Sequence, residues 1–338
     1  MEMPRTMKRF LGIGLIGLAN LILAGCGGGS AGLAVPAESE PAMDAMSVSA
    51  ITAPGRGFPV GAPWASCYGS AAQMGDLKKV ASTFRILNID ADPDTGNFTP
   101  AQIQQLKNGG QNRVISYLNI GSCENFRSYW LTAPAPFVAA GRNRAAWRGR
   151  YNGYPDETWM DLGNADYQNL IVNYIAPRLV AQGVDGFFLD NMELVEHGAT
   201  DKNGACSATC RQGGLDLVYK LRRKYPRALI VMQNATSDVT RLGKTGGVAF
   251  PVLLDGISHE EVFAPQPDAQ AQTELKAWKA MNLRSGGRAF WIGTEDYVGR
   301  ASNTTLQKKV YAQSRALGFS PYCADESGKQ QTVFYWPS

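Results

Sequence analysis

The sequence predicts an α/β fold, a single closed (β/α)8 barrel of the TIM type, preceded by a signal peptide and a linker. From Phe84 onward, short β-rich apolar runs alternate with longer stretches that have helical spacing. Such alternation predicts right-handed βαβ units and a parallel sheet. About eight units are present, which is the number that closes a barrel. Acidic residues recur where the predicted strands end, as expected for an active-site rim.

The predicted strands are short apolar runs bounded by polar or glycine-containing turns. In chain order they cover residues 84–90, 113–119, 158–162, 184–190, 228–233, 254–258, 288–293 and 318–323. An open, doubly wound sheet is the alternative arrangement of the same elements. A dinucleotide-binding Gly-x-Gly-x-x-Gly turn is missing after the first predicted strand, which favours the closed barrel.

The predicted helices follow these strands and have recognisable ends. The first begins at Thr99, with Thr99 as N-cap, Pro100 in the first turn and Gln102 completing a capping box. Gly109 and Gly110 end it. Further helices are predicted over residues 165–182, 214–225, 270–282 and 304–317.

The N-terminus predicts export. Residues 1–25 carry a basic start and then an uncharged apolar run that is too short to span a bilayer, which is typical of a signal peptide. The run ends in Leu-Ala-Gly before Cys26, the pattern of a bacterial lipobox. Cys26 is therefore predicted to be lipidated and to anchor the protein in the bacterial cell envelope, on the periplasmic side or at the outer membrane. An ordinary signal peptide with a chance cysteine is the alternative.

Composition divides the remainder in two. Residues 26–63 are rich in Gly, Ala, Pro and Ser, which predicts a flexible linker because such a segment buries little apolar surface. Residues 64–338 have the composition of one globular domain. We expect this domain to be a monomer.

Several classes of function are disfavoured by composition. The formal net charge is +4 and no basic stripe is interleaved with aromatic residues, so no nucleic-acid partner is expected. Only 2 histidines are present, which disfavours a zinc hydrolase. The run Asp90-x-Asp92-x-Asp94 lacks the glycine and closing glutamate of a calcium loop and predicts an acidic turn, so no metal site is expected. Cys206 and Cys210 are predicted to form a disulfide in an exported protein.

Carboxylates follow several predicted strands. In a barrel these strand ends meet at one rim. A single aspartate at a strand end is common, because its side chain caps nearby backbone groups, but the coincidence over many strands indicates a site. The acidic residues concerned are Asp90, Asp161, Asp190, Glu260, Glu261, Glu295 and Asp296.

Two carboxylates at one rim fit the cleavage of a glycosidic bond. One must be protonated to donate to the leaving oxygen, and the other must be ionised to attack the anomeric carbon or to activate water. Asp190 emerges from an apolar strand, and Glu260 lies among other acids that would raise its pKa. Glu261 beside it is the alternative acid. Tyr117 and Tyr297 lie near strand ends, where they would either stack on sugar rings or pack the barrel end.

From Trp64 to Tyr322 the chain resembles glycoside hydrolase family 114, the endo-α-1,4-polygalactosaminidases. The resemblance is carried by the motifs Val-Ile-Ser-Tyr-Leu-Asn-Ile-Gly at 114–121, Gly-Val-Asp-Gly-Phe-Phe-Leu-Asp-Asn at 183–191, Gln-Asn at 233–234, Asp-Gly at 255–256 leading to Glu260, and Asp-Tyr at 296–297. It implies a TIM barrel without a cofactor, acting on an α-1,4-linked galactosamine-containing polysaccharide. It also implies a retaining mechanism with Asp190 as nucleophile and Glu260 as acid/base.

The motifs and the rim positions together define a predicted substrate-binding set. Its members are Asp90, Tyr117, Glu124, Asp161, Asn191, Asn234, Glu261, Asp296 and Tyr297. Two other functions stay open at this point. One is a surface lipoprotein that binds polysaccharide without cleaving it, and the other is a hydrolase of a different α-linked sugar polymer.

Overall fold

Eight parallel strands form one continuous sheet that curves into a barrel, with helices outside it. The structure is a computed structural model that describes residues 57–335. The predicted signal peptide, Cys26 and most of the predicted linker lie outside the described residues and stay predictions. No helix within 57–335 has the length and apolar character needed to cross a membrane.

All strands of the described chain are short. They are β1 (Trp64–Cys67), β2 (Ile86–Ile89), β3 (Arg113–Asn119), β4 (Ser122–Glu124), β5 (Trp147–Tyr151), β6 (Tyr154–Met160), β7 (Gly186–Asp190), β8 (Leu229–Gln233), β9 (Lys244–Thr245), β10 (Val248–Ala249), β11 (Gly256–Glu260), β12 (Arg284–Ser285), β13 (Arg288–Ala289), β14 (Trp291–Tyr297) and β15 (Ser320–Ala324). The barrel order is β1-β2-β3-β7-β8-β11-β14-β15. The predicted closed barrel is confirmed, and the open doubly wound sheet is wrong.

The helices lie between the barrel strands. They are α1 (Ala71–Met74), α2 (Leu77–Thr83), α3 (Pro100–Lys107), α4 (Ser128–Leu131), α5 (Ala165–Leu170), α6 (Ala176–Ala181), α7 (Ala208–Lys224), α8 (Asp238–Arg241), α9 (Ala269–Ala280) and α10 (Thr304–Ala316). A π-helical segment, Ile171–Ile175, joins α5 to α6, so the helix predicted over 165–182 is continuous. The capping box of α3 is present: the Gln102 backbone N–H donates to Thr99 Oγ1 at 3.3 Å, and the Thr99 N–H donates to Gln102 Oε1 at 2.8 Å.

One predicted barrel strand is wrong and another was not predicted. Residues 158–162 do not join the barrel, because β6 pairs antiparallel with β4 and β5 in a separate three-stranded sheet. The eighth barrel strand is β1, which pairs parallel with β2. A two-residue Asn152-Gly153 turn joins β5 to β6 and is a strong hairpin signal that indicates this arrangement.

Aromatic residues fill the barrel interior and its seam. Trp64 and Trp291 meet edge to face with ring centroids 5.2 Å apart, and Trp64 also packs on Tyr322 at 5.5 Å and on Phe188 at 6.5 Å. All four are at most 1% exposed. Across the seam between β1 and β15, Trp64 Nε1 donates to the carbonyl oxygen of Ser320 at 2.8 Å. The barrel interior is thus a packed core of large aromatic rings.

The folded region begins before residue 64. Phe58 lies inside the predicted linker, yet it is 0% exposed and packs on Trp291 with ring centroids 5.4 Å apart. Phe58, in the segment predicted as linker, therefore belongs to the hydrophobic core of the barrel. A single large aromatic side chain in a Gly/Pro-rich segment is enough to anchor it, because its burial removes substantial apolar area from water.

A long insertion follows β3 at the C-terminal rim of the barrel. It spans residues 120–164 and carries the sheet β4-β6-β5, called the arm below. The loop after β7 holds this arm, since Asn203 Oδ1 accepts hydrogen bonds from Trp159 Nε1 at 3.0 Å and from the Asn152 N–H at 2.8 Å. The predicted Cys206–Cys210 disulfide is confirmed and ties that loop to the start of α7.

Breaking the disulfide should weaken the fold moderately. The cross-link closes a short loop, for which the loss of unfolded-state entropy corresponds to roughly 2 kcal/mol. We expect Cys206→Ser/Cys210→Ser to lower the free energy of unfolding in urea by about that amount. Reduction of the unmodified protein should reproduce the effect, and unchanged stability in both cases would contradict it.

Candidate active site

The barrel strands deliver carboxylates to one rim. β7 and β11 have the same burial pattern, four buried residues followed by a partly exposed acid, Asp190 in one and Glu260 in the other. Only β8 lies between them in the sheet. Two strand spacings amount to about 9.6 Å, so two inward-pointing side chains can face one substrate.

The chain turns sharply directly after three of these strands. Asn191, Asn234 and Glu261 follow β7, β8 and β11, and have φ angles of 58°, 60° and 53°. Left-handed backbone is uncommon for residues other than glycine and costs free energy, least for asparagine. These turns end the strands at Asp190 and Glu260, so that both acids are the last inward-facing residues.

Glu260 is held by two hydrogen bonds to its carboxylate. Asn234 Nδ2 donates to Oε2 at 2.7 Å, and the Tyr297 hydroxyl donates to Oε1. Asn234 also accepts the Glu260 backbone N–H at 3.0 Å. Two predicted substrate-binding residues, Asn234 and Tyr297, therefore contact Glu260 and orient it.

Glu261 has a different position. Its backbone N–H donates to the carbonyl oxygen of Glu295 at 2.8 Å, and its side chain is exposed beyond the left-handed turn. Of the two adjacent glutamates, Glu260 alone has the two oriented hydrogen bonds to its carboxylate. The geometry favours Glu260 over Glu261 as the residue that faces a glycosidic bond.

Asp190 lies among other acids. Burial raises the pKa of its carboxyl well above the usual range, and the nearby Glu193, Glu260 and Glu157 carboxylates raise it further. The hydrogen bond from the Asn191 N–H opposes this effect. A positive charge brought beside Asp190 would lower its pKa again and favour the ionised form.

A polar network lies beside Asp190. Asn191 Nδ2 donates to Asn119 Oδ1 at 3.1 Å, to Ser122 Oγ at 2.8 Å and to Glu157 Oε2 at 3.1 Å. Gly121 makes this approach possible, because a Cβ at that position would lie 1.8 Å from the Asn191 carbonyl oxygen. The predicted substrate-binding residue Asn191 is 5% exposed, and its side chain links Asn119 of β3 to Glu157 of the arm next to Asp190.

Glu157 is a site residue that the sequence prediction missed. It lies on β6 of the arm, and it accepts hydrogen bonds from Asn119 Nδ2 at 3.2 Å and from Ser122 Oγ in addition to Asn191. Burial and the neighbouring Glu124 raise its pKa to about 7. The Asn-Gly turn before β6 was the available signal, because it predicts a hairpin whose second strand contains Glu157.

Asp90 and Glu124 face an arginine. Arg127 Nη2 lies 3.1 Å from Asp90 Oδ2 and 3.2 Å from Glu124 Oε1, and all three side chains are buried. The acidic turn continues this pattern, because Arg178 pairs with Asp92 at 3.1 Å and also with Asp94. Asp90, a predicted substrate contact, is thus a buried carboxylate paired with Arg127, as expected because burial of an unpaired charge is costly.

Two further predicted contacts have structural partners. Asp161 pairs with Arg148, and its Oδ1 accepts the Gly163 N–H at 2.9 Å; it follows an arm strand and not a barrel strand. Asp296 is 0% exposed, and its Oδ1 accepts the N–H groups of Phe263 at 2.6 Å and Ala264 at 2.9 Å. Asp296 points out of the barrel and fixes the loop after β11, since Glu295 and Tyr297 occupy the other face of the strand.

Tyr117 lies on the inward face of β3. It is paired in register with Phe188, and its ring meets Tyr68 edge to face at 4.9 Å. Burial and the charges of Glu124 and Asp190 raise its pKa well above the usual range. Tyr117 therefore forms part of the wall beside Asp190.

Glu295 is one of the acids that follow the predicted strands, and the structure places it in the barrel interior. It is 0% exposed, and neither of its carboxylate oxygens has a hydrogen-bond partner in residues 57–335. It stands opposite Glu260 in the register of β11 and β14. Burial raises its pKa well above the usual range, and Glu260, Asp296, Asp190 and Asp325 add to the shift.

The rim therefore groups several carboxyl groups with no cationic side chain of the described residues paired to them. Within residues 57–335, none of Asp190, Glu157, Glu260 and Glu295 makes a salt bridge. No group of three His, Cys, Asp or Glu side chains in that range is arranged to hold a metal ion. The arrangement suits a substrate that is itself neutral or positively charged.

Comparison with known proteins identifies the family of this chain. Residues 46–336 match the model of glycoside-hydrolase family GH114. This chain belongs to family GH114. A Deinococcus radiodurans protein described as uncharacterized is 26% identical over 257 residues, which cover 73% of this chain and 74% of that protein. The resemblance inferred from the sequence motifs is thereby confirmed, and glycoside hydrolase activity is the activity of the family.

Two solved structures share the fold. The glycoside hydrolase domain of PelA from Pseudomonas aeruginosa has a TM-score of 0.59 at 18% identity, covering 80% of this chain and 98% of that domain. Aspergillus fumigatus Ega3, solved in complex with galactosamine, has a TM-score of 0.56 at 16% identity, covering 82% of this chain and 96% of that chain. At these low sequence identities, the similarity shows that this chain shares their barrel fold. It does not show which substrate the chain uses.

The buried Glu295 should make stability depend on pH. Because its pKa is raised by folding, the folded protein holds this proton more tightly than the unfolded chain. The free energy of unfolding therefore falls as pH rises above about 4.3 toward the folded pKa. We expect Glu295→Gln to be more stable than the unmodified protein by about 1–3 kcal/mol at pH 8, with a smaller difference at pH 5. Parallel stability curves in chemical denaturation over this range would contradict the expectation.

Proposed function

We propose that this GH114 chain hydrolyses α-1,4-linked galactosamine-containing polysaccharide by a retaining mechanism, with Asp190 as nucleophile and Glu260 as acid/base. The observation that carries the proposal is the pair of partly exposed carboxylates at the ends of β7 and β11, inside an acidic rim without a cation. The galactosamine bound in the structure of Ega3, a protein with the same fold, supports this class of sugar.

The first chemical step uses both carboxyl groups. Glu260 donates a proton to the glycosidic oxygen while Asp190 attacks the anomeric carbon, and a covalent glycosyl-enzyme forms. Tyr297 and Asn234 hold the Glu260 carboxyl in one orientation, which limits the loss of freedom in the transition state. In the second step Glu260 takes a proton from water, which attacks the anomeric carbon and releases Asp190.

A cationic substrate would help to prepare the nucleophile. Burial and three neighbouring acids oppose ionisation of Asp190. A protonated amine on the bound sugar would lower the pKa of Asp190, so that the attacking carboxylate forms when substrate is present.

The location of the activity is a second part of the proposal. We infer that Cys26 is lipidated and holds the enzyme at the bacterial cell envelope, where exported polysaccharide is available. Metabolic labelling with a palmitate analogue should mark the protein, and Cys26→Ser should abolish the label and release the protein from membranes. A label that survives Cys26→Ser would exclude this site.

Replacement of the two proposed catalytic groups should abolish turnover. Asp190→Asn and Glu260→Gln should each lower kcat on de-N-acetylated α-1,4-galactosaminan by about 10³-fold, because each removes a group required for bond cleavage. Glu261→Gln should lose less than about tenfold, as expected for a peripheral group. Reducing-end release and mass spectrometry of the products would measure this.

The outcomes distinguish the alternatives. If the unmodified protein binds the polymer but releases no product, it is a surface polysaccharide-binding protein. Cleavage of a different α-linked polymer in a substrate panel would change the sugar and keep the mechanism. If both Asp190→Asn and Glu260→Gln still cut, the assignment of the catalytic pair is wrong.

Salt should weaken the enzyme on a cationic polymer. Several acids at the rim attract a polycation through charge, and the Debye length falls from about 30 Å at 0.01 M to about 10 Å at 0.1 M ionic strength. We expect kcat/KM on de-N-acetylated polymer to fall at least about tenfold as the ionic strength rises from 0.01 M to 0.1 M. The decrease should come from a higher KM. Salt-independent turnover would indicate a neutral or N-acetylated substrate.

A further inference from the structure

Two glutamates stand directly opposite each other on the arm. Glu124 on β4 and Glu157 on β6 are partners in the antiparallel register. Side chains at such positions lie on the same face with Cβ atoms about 5 Å apart, and like charges there are destabilising. Binding of a cation beside these two carboxylates would therefore stabilise the folded protein.

Each of the two carboxylates has one oxygen without a donor. Glu124 is 3% exposed; its Oε1 faces Arg127 at 3.2 Å, while its Oε2 is buried and has no hydrogen-bond partner in residues 57–335. Glu157 accepts all its hydrogen bonds at Oε2, from Asn119, Ser122 and Asn191. Its Oε1 has none from the described residues, and the side chain is partly exposed.

The arginine next to this pair is already shared. Arg127 also contacts Asp90 at 3.1 Å and Asp92 at 3.8 Å, so its one positive charge faces three acids. Glu157 makes no salt bridge with any described residue. The face shared by Glu124 and Glu157 therefore has more carboxyl groups than cationic partners among the described residues.

The pair lies beside the proposed nucleophile. Asn191, the residue after Asp190, donates to Glu157, and the Glu157 charge contributes to the raised pKa of Asp190. A ligand at Glu157 Oε1 would thus be next to the sugar that Asp190 attacks.

The arm also offers an exposed ring at this edge. Tyr154 is 54% exposed, and its ring lies 4.6 Å from Tyr151, which stacks at 4.1 Å on Trp159. Partial burial and the nearby charges of Glu260, Asp190 and Glu157 together raise the pKa of Tyr154 to about 12. An exposed aromatic ring supported by two others is a suitable platform for the apolar face of a pyranose.

We propose that Glu157, backed by the charge of Glu124, binds the protonated 2-amino group of a galactosamine residue, while Tyr154 stacks on its ring. The arm is then the subsite that distinguishes a free amino sugar from an N-acetylated or neutral one. This inference rests on the proposed function, and it adds the residues that select the substrate. The ammonium donates to Glu157 Oε1, and Glu124 acts from behind through its charge.

The test compares two polymers and one conservative variant. Glu157→Gln removes the charge while it keeps the size of the side chain and an acceptor for Asn119 and Ser122. We expect kcat/KM of Glu157→Gln to fall about 10- to 100-fold on de-N-acetylated α-1,4-galactosaminan, the range for a hydrogen bond to a charged group. The loss should be mainly in KM, and any activity on the N-acetylated polymer should change less than about threefold.

Matched variants separate recognition from folding. Asp156→Asn changes an exposed carboxylate on the same strand and should behave as the unmodified enzyme on both polymers. Tyr154→Ala should raise KM on both polymers, and Tyr154→Phe should restore it because the ring is kept. Equal losses of Glu157→Gln on the two polymers, or an equal loss for Asp156→Asn, would overturn the proposal.

A binding measurement keeps the inference separate from the proposed activity. Calorimetric titration with galactosamine oligosaccharides and with their N-acetylated counterparts does not depend on turnover. Preference for the free amine that disappears in Glu157→Gln supports the subsite even if no polymer is cleaved, an outcome that would refute only the proposed hydrolysis. Equal affinity of the unmodified protein for both ligands would overturn the subsite even if hydrolysis is observed.

Discussion

Crowding of carboxylates in a half-buried rim is the constraint on which this site depends. Asp190, Glu260, Glu157 and Glu295 share one end of the barrel, and no salt bridge within residues 57–335 neutralises any of them. Each ionised acid makes ionisation of the next one harder, because burial weakens screening by water. The acids of such a rim retain their protons more readily than exposed acids do, and their ionisation depends on the charge of what binds there.

The scaffold controls this crowding through hydrogen bonds and abrupt turns. Asn234 and Tyr297 fix Glu260 through its two oxygens, and left-handed residues end the strands directly after the proposed catalytic acids. Asp90 and Asp296, which also follow or end barrel strands, are removed from the rim by Arg127 and by backbone N–H groups. The same residue type is thus a proposed catalytic group or a structural one, according to the donors that surround it.

The arm adds side chains to the barrel rim that the barrel strands do not supply. It carries Glu157 and Tyr154 to the rim, and Asn203 in the disulfide-tied loop after β7 holds it in place. Loops at the C-terminal rim commonly diversify the chemistry of barrels, because the strands beneath them supply a rigid frame. The proposed substrate selection by the arm and the proposed bond cleavage at the strand ends therefore involve different parts of the chain.

The sequence by itself determined the repeated strand–helix pattern, the capping box at Thr99, the disulfide between Cys206 and Cys210, and the family. These features depend on local spacing and composition, which are visible in the chain order. It also selected Asp190 and Glu260 as the proposed catalytic pair, because each acid comes at or just after the end of a predicted strand.

Only the tertiary structure decided which acids share the rim. The strand predicted at 158–162 belongs to the arm, because its pairing with β4 and β5 is a long-range choice that apolar content does not reveal. Glu157 was missed for the same reason, and the partners of Asp90 and Asp161 were hidden because Arg127 and Arg148 reach them through the fold. Periodicity specifies the elements, but burial, charge pairing and register arise only when distant segments meet.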